Sequence, residues 1–176
     1  MALEIDEQIS EIDRFRYAAG YMIQNEGSEL VERLVRDGTM SKFGVRESRF
    51  PFVDLESINR REAESLLRNR EWRFYNYPNL ESGTVAAKIF DTHILFSAND
   101  AFEIAQDALN DVNKDVERTG RLDFGTINAL EDVPSEFLDQ YVTNLENFVD
   151  TNFEDNEAIL RRVQLLPARN VDTIEI

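Results

Sequence analysis

Three side chains in the first quarter of the chain have the types and spacing that glycoside hydrolysis needs. Glu26 stands at the end of an apolar helical pattern, Asp37 follows eleven positions later, and Ser41 stands fifteen positions after Glu26. Apolar neighbours such as Met22 and Ile23 are expected to raise the pKa of Glu26, so that it can protonate a glycosidic oxygen. A second carboxylate and a hydroxyl on the next loop can hold or activate the attacking water.

The two carboxylates also have ordinary structural interpretations. Glu26 can be a solvated glutamate at a helix end. Asp37 precedes Gly38, and an Asp-Gly pair is a common turn. We treat Glu26, Asp37 and Ser41 as the candidate catalytic set, with Glu26 as the general acid.

Two short motifs surround these residues. Glu26-Gly27-Ser28 is followed by Gly38-Thr-Met-Ser-Lys-Phe-Gly44-Val45. They resemble the Glu-Gly-Gly and Gly-Gly-x-Thr-Asn-x-Gly-Ile segments of the glycoside hydrolase family 108 N-acetylmuramidases. Further matches follow in the family's order and extend the resemblance over residues 21–163. They are Asn59-Arg-Arg-Glu-Ala63, Glu71-Trp72, Val85 to Asp91, and Gly120 to Leu130. The last of these segments is similar to the family's peptidoglycan-binding region.

The resemblance implies an endolysin-like muramidase that cleaves the β-1,4 bond between N-acetylmuramic acid and N-acetylglucosamine in peptidoglycan. It places Asp37 where phage-type lysozymes have a water-binding aspartate, and Ser41 where the family has a threonine. Ser28 replaces the second glycine of the family motif, and the loop before Asp37 is altered. These departures favour the alternative, a lysozyme-like structural or docking component of a phage particle or secretion device without turnover.

Four aromatic residues are candidates for a sugar-binding groove, because pyranose faces pack on aromatic rings. They are Phe43, Trp72, Tyr75 and Tyr77. Aromatic side chains that follow a core helix are equally typical of a hydrophobic core. His93, the single histidine, lies on an apolar stripe and is predicted to be a core residue. With one histidine and no cysteine, we expect neither a metal site nor a cofactor.

The net charge of −16 is unevenly distributed. Residues 122–160 contain ten acidic residues and no Lys or Arg, whereas residues 33–73 contain ten basic and seven acidic residues. We expect the basic part to face peptidoglycan glycan strands, and the acidic C-terminal helices to face a basic protein partner or a salt-rich medium. The acidic helices would repel an anionic wall polymer, so they are expected to brace the catalytic region. Nucleic acid is not an expected partner.

Targeting signals are not apparent in the sequence. The first seven residues, Met-Ala-Leu-Glu-Ile-Asp-Glu, have neither the basic segment nor the apolar core of a signal peptide, and no apolar run has the length of a membrane span. We therefore expect cytoplasmic synthesis and action at the cell wall through a holin, a secretion device or a virus particle. The absence of cysteine excludes disulfides.

Hydrophobic periodicity predicts an all-α fold with a very short β element after Gly38, and the resemblance implies that this helical fold is lysozyme-like. The predicted regions are a catalytic region at 1–98, a helical peptidoglycan-binding-like region packed on it at 99–167, and a tail at 168–176. The predicted elements are a helix from Ile5 to Asn25, a helical turn at 30–35, a brief strand at 42–46, a helix opened by Asn59, a core helix at 84–96, a helix capped by Asn99 or Asp100, a short helix to Leu130, a long helix from Pro134 and a last helix that stops at Pro167.

Overall fold

A computed structural model of the chain describes residues 10–35 and 37–168. Within these residues the protein is mainly helical, with one small sheet, and none of the helices is long and apolar enough to cross a membrane. The start of the first predicted helix, at Ile5 and Ile9, and residues 169–176 of the predicted tail lie outside the described residues. The helices are α1 (Glu11–Glu26), α2 (Arg60–Leu67), α3 (Gly83–Leu95), α4 (Ala98–Asp111), α5 (Phe124–Asp132), α6 (Pro134–Asn152) and α7 (Glu157–Gln164).

The sheet consists of β1 (Val31–Glu32), β2 (Met40–Lys42) and β3 (Val45–Arg46), paired antiparallel in the order β1-β2-β3. Phe43 and Gly44 connect β2 to β3 with φ values of 53° and 79°, as a two-residue hairpin turn of type I′ requires. The predicted helical turn at residues 30–35 is wrong. Val31 and Glu32 pair with β2, so their backbone takes part in a sheet instead of a helical turn.

Helix α3 lies at the centre of the core. Every residue from Val85 to Leu95 is buried, which requires other elements on all sides of the helix. Helices α1 and α4 pack directly on α3. The core continues across the predicted boundary at residue 98, since Phe90, Phe102 and Tyr141 belong to one cluster of buried side chains.

The helix starts mostly follow local capping signals. Asn59 and Glu62 form the predicted capping box, in which each side chain accepts a hydrogen bond from the other residue's backbone N–H. The predicted cap of α4 at Asn99 or Asp100 is wrong. The Ser97 side chain accepts a hydrogen bond from the Asp100 N–H, so the helix begins at Ala98, earlier than either predicted cap would allow.

We predict that Gly44→Ala lowers the free energy of unfolding by about 2–4 kcal/mol. At φ = +79° an alanine is strained, and its Cβ would lie 2.6 Å from the Met22 Sδ and 3.3 Å from the Ile94 Cγ2. Gly38→Ala is the matched control, because its φ of +77° gives similar backbone strain with no atom within 4 Å of the added Cβ. We expect the control to lose about 1 kcal/mol in urea unfolding. Equal losses in the two variants would exclude a packing contribution at Gly44.

Candidate active site

Glu26 is the last residue of α1, and each oxygen of its carboxylate has a partner. Ser41 donates its hydroxyl to Oε1, and Arg162 donates a guanidinium N–H to Oε2. Ser41 belongs to β2 and Arg162 to α7, so three separate elements meet at this carboxylate. Only 7% of the Glu26 side chain is exposed. The structure thus brings two of the three candidate catalytic residues, Glu26 and Ser41, into direct contact.

Arg162 is also held by a second carboxylate. Its Nη2 and Nε donate to the two carboxylate oxygens of Asp91 on α3, at 2.8 and 3.4 Å. This two-point contact fixes the plane of the guanidinium. Both side chains are almost fully buried, so the interaction takes place away from the screening of water.

Sequence reasoning did not identify Arg162 as a site residue. It is 136 positions from Glu26, and no short motif connects the two. The sequence does contain one signal, since Ile159, Arg162 and Val163 have the spacing of one face of a helix. The structure shows that all three side chains on this face are buried. An arginine on the apolar face of a helix needs a buried anion, and Glu26 and Asp91 provide it.

The pKa of Glu26 is lowered, so the prediction of a raised pKa is wrong. Burial by itself raises it, but the charge of Arg162 and the hydrogen bonds from Ser41 and Arg162 outweigh burial and bring the pKa below its ordinary value. Met22 and Ile23 are buried as expected, yet the carboxylate is directed at a cation rather than into an apolar pocket. Glu26 is therefore ionised at neutral pH in this conformation.

Asp37 lies in the turn before β2, and its carboxylate is occupied by its neighbours. Oδ1 accepts from the N–H of Thr39 at 3.1 Å and from its hydroxyl at 2.6 Å, and Oδ2 accepts from Arg33. Burial raises the pKa of Asp37, but the Thr39 hydrogen bonds and the Arg33 charge bring it below the ordinary value. These contacts support the turn interpretation. A role for Asp37 in water activation stays a prediction, and 39% of its side chain is exposed.

Two arginines of the sheet region bind the C-terminal end of α3. Arg33 donates to the Leu95 carbonyl at 2.6 Å, and Arg46 donates to the Phe96 carbonyl at 3.0 Å. Carbonyl groups at a helix C-terminus have no partner within the helix and carry partial negative charge. The two arginines therefore attach the sheet, and with it Ser41, to the central helix.

Trp72 and Tyr77 are core residues, so the prediction that they line a groove is wrong for this structure. Both are 0% exposed, and their rings stack with centroids 5.0 Å apart. Trp72 ends the π-helical segment Arg68–Trp72, which follows α2 and turns the consecutive side chains of Glu71 and Trp72 inward. A pyranose ring cannot reach either aromatic face without displacing the core around Phe90.

Phe43 and Tyr75 are the two candidate aromatic residues that remain partly accessible. Phe43 lies in the turn between β2 and β3, with the Lys42 ammonium 5.7 Å from its ring centroid. The guanidinium of Arg49 lies 6.0 Å from the centroid of Tyr75. Both rings are only partly buried against the core, and their role in sugar binding stays a prediction.

His93 is a buried residue with polar neighbours on both ring nitrogens, which confirms its prediction as a core residue. Nε2 lies 3.2 Å from the Glu71 carboxylate, and Nδ1 lies 3.3 Å from the Tyr77 hydroxyl. Burial lowers the pKa of His93 more than the Glu71 carboxylate raises it. The ring is therefore neutral at pH 7. With the proton on Nε2, an N–H faces the Glu71 carboxylate and the unprotonated Nδ1 faces the Tyr77 hydroxyl.

Two cavities on the surface lie away from Glu26. One of about 380 Å³ is lined by residues between Lys114 and Ala129, and one of about 390 Å³ lies between the loop 53–58 and α2. In the part of the chain that the structure describes, no group of three or more His, Cys, Asp or Glu side chains could hold a metal ion. Arg162 and Ser41 cover the carboxylate of Glu26 in this conformation.

No protein-family model matches the chain, and no curated protein sequence is significantly similar to it. The geometry around Glu26 is therefore the main basis for assigning a function.

We predict that Arg162→Gln lowers the free energy of unfolding at pH 7 by about 3–5 kcal/mol, because it leaves the Glu26 and Asp91 carboxylates buried without their cation. The lowered pKa means that the pairing of Glu26 stabilises the wild type above the unfolded-state pKa and stops doing so as the pH falls through the folded-state pKa. The cost of the substitution should therefore be smaller near pH 4 than at pH 7. Chemical denaturation at both pH values measures it.

Arg161→Gln is the matched control for this prediction. Arg161 and its partner Glu157 are 74% and 80% exposed, so its loss should change the unfolding free energy by less than about 0.5 kcal/mol. Similar losses in the Arg161 and Arg162 variants, or a cost that does not depend on pH, would contradict the assigned role of the buried pair.

Proposed function

We propose that the protein is a peptidoglycan hydrolase of the N-acetylmuramidase type, with a lysozyme-like helical fold in which Glu26 is the catalytic carboxyl group. The observation that carries the proposal is the hydrogen bond from Ser41 to Glu26, which joins the end of α1 to the sheet. These are the two residues that the paired motifs place fifteen positions apart. The resemblance of those motifs to family 108 muramidases supplies the reaction.

In the proposed reaction, protonated Glu26 transfers its proton to the glycosidic oxygen as the C–O bond to the N-acetylmuramic acid ring breaks. The carboxylate that remains is stabilised by the Ser41 hydroxyl and the Arg162 guanidinium. Water adds to the anomeric carbon, and its proton passes to a carboxylate. The products are a reducing end at N-acetylmuramic acid and a free hydroxyl on the N-acetylglucosamine that leaves. A lowered pKa makes Glu26 a stronger acid but leaves a smaller protonated fraction at neutral pH.

We predict that Glu26→Gln abolishes release of reducing ends from purified peptidoglycan, because the amide cannot donate the proton. The assay should cover pH 4.5 to 7, since the protonated fraction of Glu26 increases as the pH falls. Unfolding curves provide the control for folding, as the variant also loses one charge of the buried pair with Arg162. Substantial activity in this variant would exclude Glu26 as the acid.

Release of reducing ends by Asp37→Asn should be measured in the same assay. If Asp37 activates the water, its loss should reduce turnover by about 10²-fold or more. If it only supports the turn through Thr39 and Arg33, the variant should lose stability and keep its rate. Turnover per folded molecule separates these two roles.

The second candidate function is a lysozyme-like module without turnover. It is favoured by the closed state of Glu26, whose carboxylate is paired with Arg162 and 7% exposed, and by the burial of Trp72 and Tyr77. An absence of lysis and of glycan cleavage by the wild type, across the same pH range, would support this candidate and exclude the enzyme.

We further propose that a basic protein partner docks on the outer face of α6. This face carries exposed acidic residues at helical spacing, including Glu136 and Asp139, whose carboxylates have no cationic partner among the described residues. Glu131, although acidic, accepts hydrogen bonds from the backbone N–H groups before α3 and is a structural residue.

We predict that the double variant Glu136→Gln, Asp139→Asn binds immobilised poly-lysine more weakly than the wild type at low salt, with the difference lost at high salt. Glu47→Gln with Glu56→Gln is the matched control, because both residues are exposed and the charge change is equal. Equal weakening in both double variants would show that total charge rather than the α6 face controls binding, and would favour adaptation to salt.

A further inference from the structure

Two arginines and a phenylalanine at the end of the π-helical segment form an exposed surface. The Tyr75 N–H donates to the Glu71 carbonyl at 3.1 Å, so the helical path continues past this segment. Arg70 and Phe74 therefore lie one turn apart on the same side. Arg70 and Arg73 are exposed, and 70% of Phe74 is exposed. We call Arg70, Arg73 and Phe74 the arginine surface.

The two cations of the arginine surface have no carboxylate partner within the described residues. The neighbouring Arg68 forms an ion pair, whereas the ion pairs of the described residues include none for Arg70 or Arg73. Arg73 donates one hydrogen bond, to the side-chain oxygen of Asn69 at 3.4 Å. Aromatic rings and arginines are enriched at protein interfaces, and an exposed Phe74 beside two such cations has this character. The surface therefore suits an occupant that is both acidic and apolar.

The start of α1 lies beside this surface, because α1 runs antiparallel to the helical path that carries it. A Cβ built on Gly20 would lie 3.9 Å from the Arg60 Nη2. Nearer the start of α1, Glu11 accepts a hydrogen bond from Arg68 at 2.5 Å. The hydrogen bond from Arg68 and the charges of Arg68 and Arg73 lower the pKa of Glu11, although burial raises it. The first turn of α1 is therefore within the field of the arginine surface.

The residues that precede α1 have the composition that this surface suits. Residues 1–9, Met-Ala-Leu-Glu-Ile-Asp-Glu-Gln-Ile, lie outside the described residues and join α1 at Ser10. They contain three carboxylates and no Lys or Arg, together with the apolar side chains of Leu3, Ile5 and Ile9. Nine extended residues can span about 30 Å, so a chain attached at Ser10 can pass along a surface that begins beside Glu11.

We propose that residues 1–9 dock on the arginine surface of their own molecule, with carboxylates paired to Arg70 and Arg73 and an apolar side chain packed on the Phe74 ring. Attachment at Ser10 gives the segment an effective concentration on the order of millimolar, which favours it over a free acidic partner. Docking removes an exposed aromatic ring from water and hides two cations from other anionic ligands. The inference goes beyond the proposed function and does not depend on it.

Nuclear Overhauser spectra of the 176-residue chain with ¹³C-labelled methyl groups test this inference. At low salt we expect cross-peaks between methyl groups of residues 1–9 and the Phe74 ring. High salt should remove them, because it screens exposed ion pairs. The triple variant Glu4→Gln, Asp6→Asn, Glu7→Gln should lose the cross-peaks at low salt. The double variant Arg70→Gln, Arg73→Gln should lose them as well.

Each of these variants has a matched control elsewhere on the surface. Glu136→Gln, Asp139→Asn, Glu154→Gln removes the same number and types of carboxylate at exposed positions. Arg61→Gln, Arg121→Gln removes two exposed arginines. Both controls should keep the cross-peaks to Phe74.

Four results would overturn the inference. The first is an absence of these cross-peaks in the wild type at low salt, and the second is their persistence in Arg70→Gln, Arg73→Gln. The third is an equal loss in the control variants, which would make total charge the cause. The fourth comes from a mixture of labelled and unlabelled protein, in which cross-peaks between the two kinds of molecule would identify a second copy as the occupant.

Discussion

The arrangement of the protein depends on a buried guanidinium shared by two buried carboxylates. Removing charged groups from water costs several kcal/mol for each ion, so Arg162, Asp91 and Glu26 are stable inside the protein only when they remain together. They belong to α7, α3 and α1, and their pairing therefore fixes the relative position of three helices. Lys88 of α3 adds to this by donating to the carbonyl groups of Val163 and Leu165 at 2.7 Å each.

Helix α3 supplies the inner partner of almost every contact that shapes the candidate site. Its buried polar side chains reach the surrounding elements, with Lys88 and Asp91 directed at α7 and His93 at the π-helical segment. Its C-terminal carbonyls accept hydrogen bonds from Arg33 and Arg46 of the sheet region. Glu26 and Ser41 meet because α1 and the sheet are both attached to this one helix.

The same interaction that stabilises the fold also sets the chemistry of Glu26. Pairing with Arg162 holds the carboxylate in place and lowers its pKa, whereas an acid in an apolar pocket would have a raised pKa and little to orient it. Stability and the ionisation of Glu26 are therefore coupled through one side chain. Beside them, Arg46 forms no ion pair with a carboxylate of the described residues and donates to the Phe96 carbonyl at the end of α3.

Local signals in the sequence determined most helices, because caps and hydrophobic periodicity act within a few residues, as at Asn59 and Pro134. The motif spacing also selected Glu26 and Ser41, which are close in the chain. Only the tertiary structure decided that residues 31–32 form a strand, that Trp72 is buried, and that Arg162 helps to lower the pKa of Glu26 against the effect of burial. Each of these depends on a partner from another element, 136 positions away for Arg162, and no local preference encodes a contact at that distance.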